Sequence, residues 1–200
     1  MTQEKDPGFR LLIVGPPGAG KGTQAVRISQ RFGIPAISTG DIFRENVRSE
    51  TELGVLAKSF MDRGEYVPDS VTNDLVEDRL TWTDAERGFL LDGYPRTVDQ
   101  VRTLDAILAR HDHRLDAVVE LHAETEEIVE RLLKRASEQN RADDTEEVIR
   151  RRLEVYLEQT SPLIETYRER GMLVSINGLG DVDDVTNRIF AALVERAAAA

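Results

Sequence analysis

The sequence predicts an α/β fold in which a five-stranded parallel sheet carries helices on both faces, with a glycine-rich loop at the end of the first strand. Three observations predict it. Short apolar runs alternate with longer segments of helical spacing along all 200 residues, the signature of strands buried on both faces and joined by helical crossovers. The first apolar run passes directly into Gly15-Pro-Pro-Gly-Ala-Gly-Lys21, where a glycine, four residues and Gly-Lys form the P-loop spacing. The remaining composition, 40% hydrophobic and 32% charged, is that of an ordinary soluble globular chain.

The elements follow in order. Arg10–Gly15 is the first strand, and similar runs recur at 34–38, 88–92, 116–121 and 173–177. Helical spacing is read over Lys21–Phe32, Thr97–Arg110, Glu124–Gln139 and Asp181–Arg196. Two stretches break the alternation. Residues 39–80 hold helical segments and no strand: Asp41–Val47, Glu52–Arg63 and, after Pro68, Asp69–Leu80. Residues 136–144 are polar and mixed in charge. Ser161-Pro162 is expected to interrupt the helix running from about Asp144 to Arg170, because proline lacks the N–H and crowds the preceding turn. The organisation is therefore one domain, with its core at 1–38, 68–134 and 145–200, a helical insert at 38–67 and a short closing segment at 135–144.

Net charge is −11 and there are no cysteines. The acidic balance argues against nucleic acid or an anionic membrane as partner. Absent thiols exclude disulfides and thiolate zinc. No run reaches the roughly 18 apolar residues of a membrane span, and the polar start lacks a signal or transit pattern. A cytoplasmic location is expected. Trp82 is expected to pack, and His111, His113 and His122, which lack ligand spacing, to lie on the surface.

The loop has a chemical reading of its own. Gly18, Ala19, Gly20, Lys21, Gly22 and Thr23 place backbone N–H groups and a helix N-terminus where a polyphosphate can approach, with Lys21 in reach of its outer oxygens. The hydroxyl stands one place later than in the common motif, at Thr23. Asp92, a carboxylate at the end of a buried strand, is placed to hold magnesium through water. Arg44 lies near a helix start, where a cation is unfavourable unless it has an anion partner. Arg131 and Arg135 share a helix face, and Arg141 and Arg152 lie eleven residues apart. On spacing alone these arginines fit a converging anion site and ordinary helix-surface ion pairs equally well.

From the P-loop onward the chain resembles the adenylate kinase family, on four segments: Gly15–Gln24, Ile37–Arg44, Leu91–Arg96 with Gln100, and Arg141-Ala-Asp-Asp leading to Arg152. The resemblance covers Arg10 to about Arg196. It implies a P-loop NTPase fold and reversible, magnesium-dependent phosphoryl transfer, ATP + AMP = 2 ADP, by a monomer without structural zinc. It implies that ATP is held by Gly18–Thr23, Arg131, Arg135 and Gly178. AMP is implied at Thr39, Arg44, Glu65, Tyr66, Val67, Gly93, Tyr94, Pro95, Arg96, Gln100, Arg141 and Arg152. Lys21, Arg96, Arg135, Arg141 and Arg152 are the implied catalytic cations, with Thr23 and Asp92 toward the metal. Only five residues separate Arg135 from Arg141, so the lid resembles the family's short form.

Two other functions stay open at this point. Pyrimidine monophosphate kinases of similar build typically have alanine and asparagine where this chain has Thr39 and Gln100, which favours AMP over UMP or CMP. A P-loop switch or binding module is the other class, although no Asn-Lys-x-Asp string of a GTPase occurs.

Overall fold

A computed structural model of the chain describes residues 8–123, 128, 131–133 and 145–199. The strands are β1 (Arg10–Val14), β2 (Ala36–Ser38), β3 (Phe89–Asp92), β4 (Ala117–His122) and β5 (Leu173–Asn177), and they form one sheet in the order β2-β3-β1-β4-β5. Every pairing is parallel, as the uniformly apolar runs predict. The helices are α1 (Lys21–Phe32), α2 (Thr39–Arg48), α3 (Glu52–Met61), α4 (Asp69–Leu80), α5 (Val98–Ala109), α6 (Glu146–Val155), α7 (Pro162–Glu169) and α8 (Val182–Ala199). Most of the helix expected at 124–139 and all of the closing segment at 135–144 lie outside the described residues.

Period-two alternation divides the strand side chains between two cores. Leu11, Ile13, Val119 and Leu121 face Ile28 and Phe32 of α1 and Ile189 and Leu193 of α8. Leu12, Val14, Leu91 and Val118 face Val101, Leu104 and Leu108 of α5 and Leu163 and Tyr167 of α7. Full burial of each such side chain contributes about 1.5–3 kcal/mol, which explains why no polar residue interrupts β1 after Arg10. The insert has a third, smaller core of Phe43, Ala57 and Val67.

This topology places the site. From β1 the chain crosses to β2 and β3 on one side and later to β4 and β5 on the other. The carboxyl ends of β1, β2 and β3 therefore border a crevice at the switch in strand order, the usual ligand position in open parallel sheets. The P-loop, Ser38-Thr39 and Asp92-Gly93 all leave the sheet there.

One local expectation is corrected and another takes a specific form. Trp82 does not pack inside: it is 55% exposed, with the Arg79 guanidinium 4.6 Å over its ring. The interruption expected at Ser161-Pro162 is present, and it takes the form of a π-helical turn over Tyr156–Thr160. Ser161 N–H donates to the Tyr156 carbonyl at 2.8 Å, and Pro162 opens α7 at its first turn. Proline cannot donate and its ring crowds the carbonyl four residues back. Widening the turn by one residue relieves both.

Candidate active site

One cavity of about 630 Å³ opens at that crevice. It is lined by Lys21, Arg44, Arg96, Arg131 and Arg152, set against Asp41, Glu65 and Asp92. Basic side chains outnumber acidic ones here, while the chain as a whole has 26 basic and 37 acidic residues. Among the described residues, the cavity lining is therefore more basic than the chain as a whole, an arrangement that favours an anionic ligand.

On one side the P-loop sits between β1 and α1. Gly20 is the N-cap of α1 in a left-handed conformation, so the first N–H groups of the helix turn toward the cavity. Lys21 Nζ folds back over the loop and donates to the carbonyls of Gly15 and Pro16, each at 2.8 Å. Gly18, Gly20, Gly22 and Thr23 line the cavity, whereas Ala19 is buried beneath it. Arg131 lines the same side and donates to the Gly178 carbonyl at 3.3 Å. Gly178 itself is not at the cavity wall; its backbone packs close to the Ala19 carbonyl.

Asp92 ends β3 beside this loop, its Oδ2 lying 3.9 Å from the position a Cβ on Gly22 would take. Burial pushes its carboxyl above the usual range, against the opposing pull of Lys21, Arg96 and Arg44.

On the other side, the turn after β3 and the start of α2 bring Arg96 and Arg44 to the cavity wall. Gly93 has φ of 81°, and its carbonyl accepts from Arg96 Nε at 2.7 Å and from Thr39 Oγ1 at 3.0 Å. The Arg96 guanidinium lies 4.7 Å over the Tyr66 ring. Arg44, one turn into α2, pairs with Asp41 at 2.6 Å and points along the same wall. Glu65 is held by Arg63, and Val67 is buried; both border the cavity with Pro95. Gln100, 1% exposed, accepts from the Arg96 backbone N–H through Oε1 at 2.7 Å and donates from Nε2 to Asp69 Oδ1 at 2.7 Å.

Of the residues singled out from the sequence, Arg135 and Arg141 lie outside the described residues. Tyr94 is placed in the core and away from the cavity: it is 1% exposed, and its hydroxyl donates to Asn73 Oδ1 at 2.8 Å. Arg150 pairs with Glu146 and Arg151 with Glu154 on the exposed helix face, as ordinary surface charges. Sequence reasoning missed Tyr156 and Thr160, which line the cavity below Arg152. Their signal was present, since 152, 156 and 160 are spaced one helical turn apart. Thr160 Oγ1 donates to the Arg96 carbonyl at 2.9 Å and is 2.8 Å from the Tyr66 hydroxyl.

A family model described as adenylate kinase matches residues 13–172. An adenylate kinase of Leifsonia xyli subsp. xyli is 63% identical over 186 residues, covering 93% of this chain and 94% of that protein. One from a Nocardioides species is 62% identical over 185 residues, with 92% and 97% covered. One from Kocuria rhizophila is 60% identical over 184 residues, with 92% and 98% covered. With likeness of this extent, and a P-loop facing Arg44 and Arg96 across one crevice, the chain belongs to the adenylate kinase family.

Proposed function

We propose that this chain catalyses ATP + AMP = 2 ADP with magnesium and so balances the adenine nucleotides. The observation that carries the reading is one cavity lined by two facing groups of residues suited to anions, the P-loop with Lys21 and the Arg96–Arg44 wall. A hydrolase or switch needs only the first. Together they hold a donor polyphosphate and an acceptor monophosphate end to end, which is what in-line transfer requires.

The acceptor phosphate is already an anionic nucleophile, so no general base is needed. The protein's part is to align two anions and to offset charge on the transferring group. Lys21 and the N–H groups of Gly18–Thr23 take the donor phosphates. Arg131, steadied by the Gly178 carbonyl, lies on the donor side, the role that the family resemblance also implies for Arg135. Arg44 and Arg96 take the acceptor phosphate, and Arg141 and Arg152 complete the cations around the moving group. Thr39 and Gln100 read the adenine.

Bound with ATP, magnesium neutralises charge on its outer phosphate oxygens. Asp92 and Thr23 are the residues that would hold it, mostly through water. The fit rests on Asp92: a carboxylate at the cavity wall, whose ionisation burial opposes, is one whose charge a hard cation restores.

Water must be shut out before transfer. The insert at 38–67, with its own small core, is the part proposed to close over AMP; the short lid that the resemblance implies at 135–144 lies outside the described residues. Among the described residues no helix is long and apolar enough to cross a membrane. A monomer in the cytoplasm, free of nucleic-acid and membrane partners, completes the proposal.

The test is ADP formation from ATP and magnesium with AMP, UMP, CMP and GMP offered in turn. AMP is expected to be the best acceptor. Faster use of UMP or CMP refutes the acceptor assignment, and ATP hydrolysis indifferent to acceptor refutes the kinase. Arg96→Ala is expected to lose activity chiefly through AMP handling; unchanged AMP kinetics removes Arg96 from the site.

A further inference from the structure

The Gln100 amide is held at both ends by groups that leave it no choice of direction. The Arg96 backbone N–H can only donate, so it requires the amide oxygen. The Asp69 carboxylate, when ionised, can only accept, so it requires the amide nitrogen. Asp69 is itself fixed. It is the first residue of α4, directly after Pro68, and its second oxygen accepts from Thr97 Oγ1 at 2.6 Å. An acid in the first turn of a helix has an ordinary role in offsetting the helix dipole. Here the carboxylate instead spends both oxygens outside its own helix, on residues 28 and 31 positions along the chain.

Each end of the amide has two hydrogen-bonding positions, and the protein uses one at each end. One lone pair on Oε1 and one N–H on Nε2 remain for the cavity that Gln100 lines. For a base held in place by its sugar and phosphate, this pair presents acceptor and donor in one fixed order. A 6-aminopurine offers a ring nitrogen that accepts beside an amino group that donates. A 6-oxopurine offers the reverse: a ring N–H beside a carbonyl. To receive the second, the amide has to flip, which sets Oε1 against the Asp69 carboxylate and Nε2–H against the Arg96 N–H.

We propose that Asp69 is a specificity-determining residue, positioning the Gln100 amide in the one orientation that accepts a 6-aminopurine monophosphate and opposes a 6-oxopurine. The proposal rests on the AMP reading above. Inosine monophosphate is the probe, because it differs from AMP only at this edge.

The experiment measures kcat and KM for AMP and for inosine monophosphate in the wild type, Asp69→Ala and Asp69→Asn, with thermal melting as the check on folding. Hydrogen bonds to charged groups are strong enough that Asp69→Ala should lower the AMP-to-inosine preference by about tenfold or more. The loss should fall on the KM for AMP, with kcat largely kept. Asp69→Asn should fall between, since its amide oxygen can still accept from Nε2. A folded Asp69→Ala with an unchanged preference overturns the proposal, even if both substrates become slower, because a merely structural role lowers both together. Should Asp69→Ala fail to fold, an unshifted preference in Asp69→Asn overturns it. Failure of the AMP reading is a separate result, seen in the wild type as equal or better use of inosine monophosphate.

Discussion

Replacing Gly93 by alanine tests whether the turn after β3 positions the acceptor site. A Cβ at that position would lie 2.8 Å from Arg96 Nη2 and 2.9 Å from Thr39 Oγ1. Ordinary contacts begin near 3.5 Å, so each neighbour must give by about 0.6 Å. Neither has slack: Arg96 is tied through Nε to the Gly93 carbonyl and stacked on Tyr66, and Thr39 is 1% exposed. The left-handed backbone at φ 81° adds about 1–2 kcal/mol of strain for a residue with a Cβ. A displacement approaching 1 Å at a positioning group costs about 10²-fold in rate, so kcat/KM for AMP should fall by about that factor. Gly33→Ala is the control, because Gly33 has φ of 63° but nothing within 4 Å of its Cβ position, at the far end of α1. Initial rates of ADP formation with AMP varied, and urea unfolding, compare the two. Gly33→Ala should lose about 1 kcal/mol of stability and keep its kinetics. A Gly93→Ala enzyme with wild-type AMP kinetics would refute the positioning argument.

Two further outcomes are expected. Burial raises the Asp92 carboxyl above its ordinary 3.8. The stability contributed by its protonated form is complete below that value and is lost as pH rises through the higher folded-state one. Asp92→Asn should therefore melt above the wild type at neutral pH, the gain shrinking as pH falls toward about 4, while its activity drops; thermal melts across that range check the sign. Thr160→Val removes the hydroxyl that joins the Arg96 carbonyl to the Tyr66 ring hydroxyl. Each such bond is worth about 1 kcal/mol, so the KM for AMP should rise about fivefold to tenfold with kcat little changed, and Thr160→Ser should restore it.

What could be read from the sequence follows from the range of the interactions. The strand ends and the loop were legible because burial on both faces and phosphate binding each impose a local composition, as in Leu11–Gly15 and Gly18–Lys21. The β3 turn was legible for the same reason, through Asp92, Gly93 and Arg96. Tyr94 shows the limit. Its neighbours in sequence point into the cavity, but the turn sends its ring to Asn73 and the core, and nothing local distinguishes the two directions. Asp69 and Thr160 act through contacts with Gln100 and Arg96 that are 31 and 64 residues distant. Only the assembled fold brings those partners together: no motif announces Asp69, and the spacing of Thr160 from Arg152 does not reveal its contact with Arg96.

The wide turn at Tyr156–Thr160 has a consequence for angular phase. Each helical residue advances by roughly 100° about the axis, and this turn absorbs one residue without advancing the helix normally. The rod on either side answers to two partners: Arg152 to the cavity, and Leu163, Ile164 and Tyr167 to the core beneath the sheet. Removing one residue between them would make a smoother helix and a worse protein, because one of those faces would swing away by roughly that angle. The extra residue is what lets a single rod serve both, and it makes this segment intolerant of any change in length.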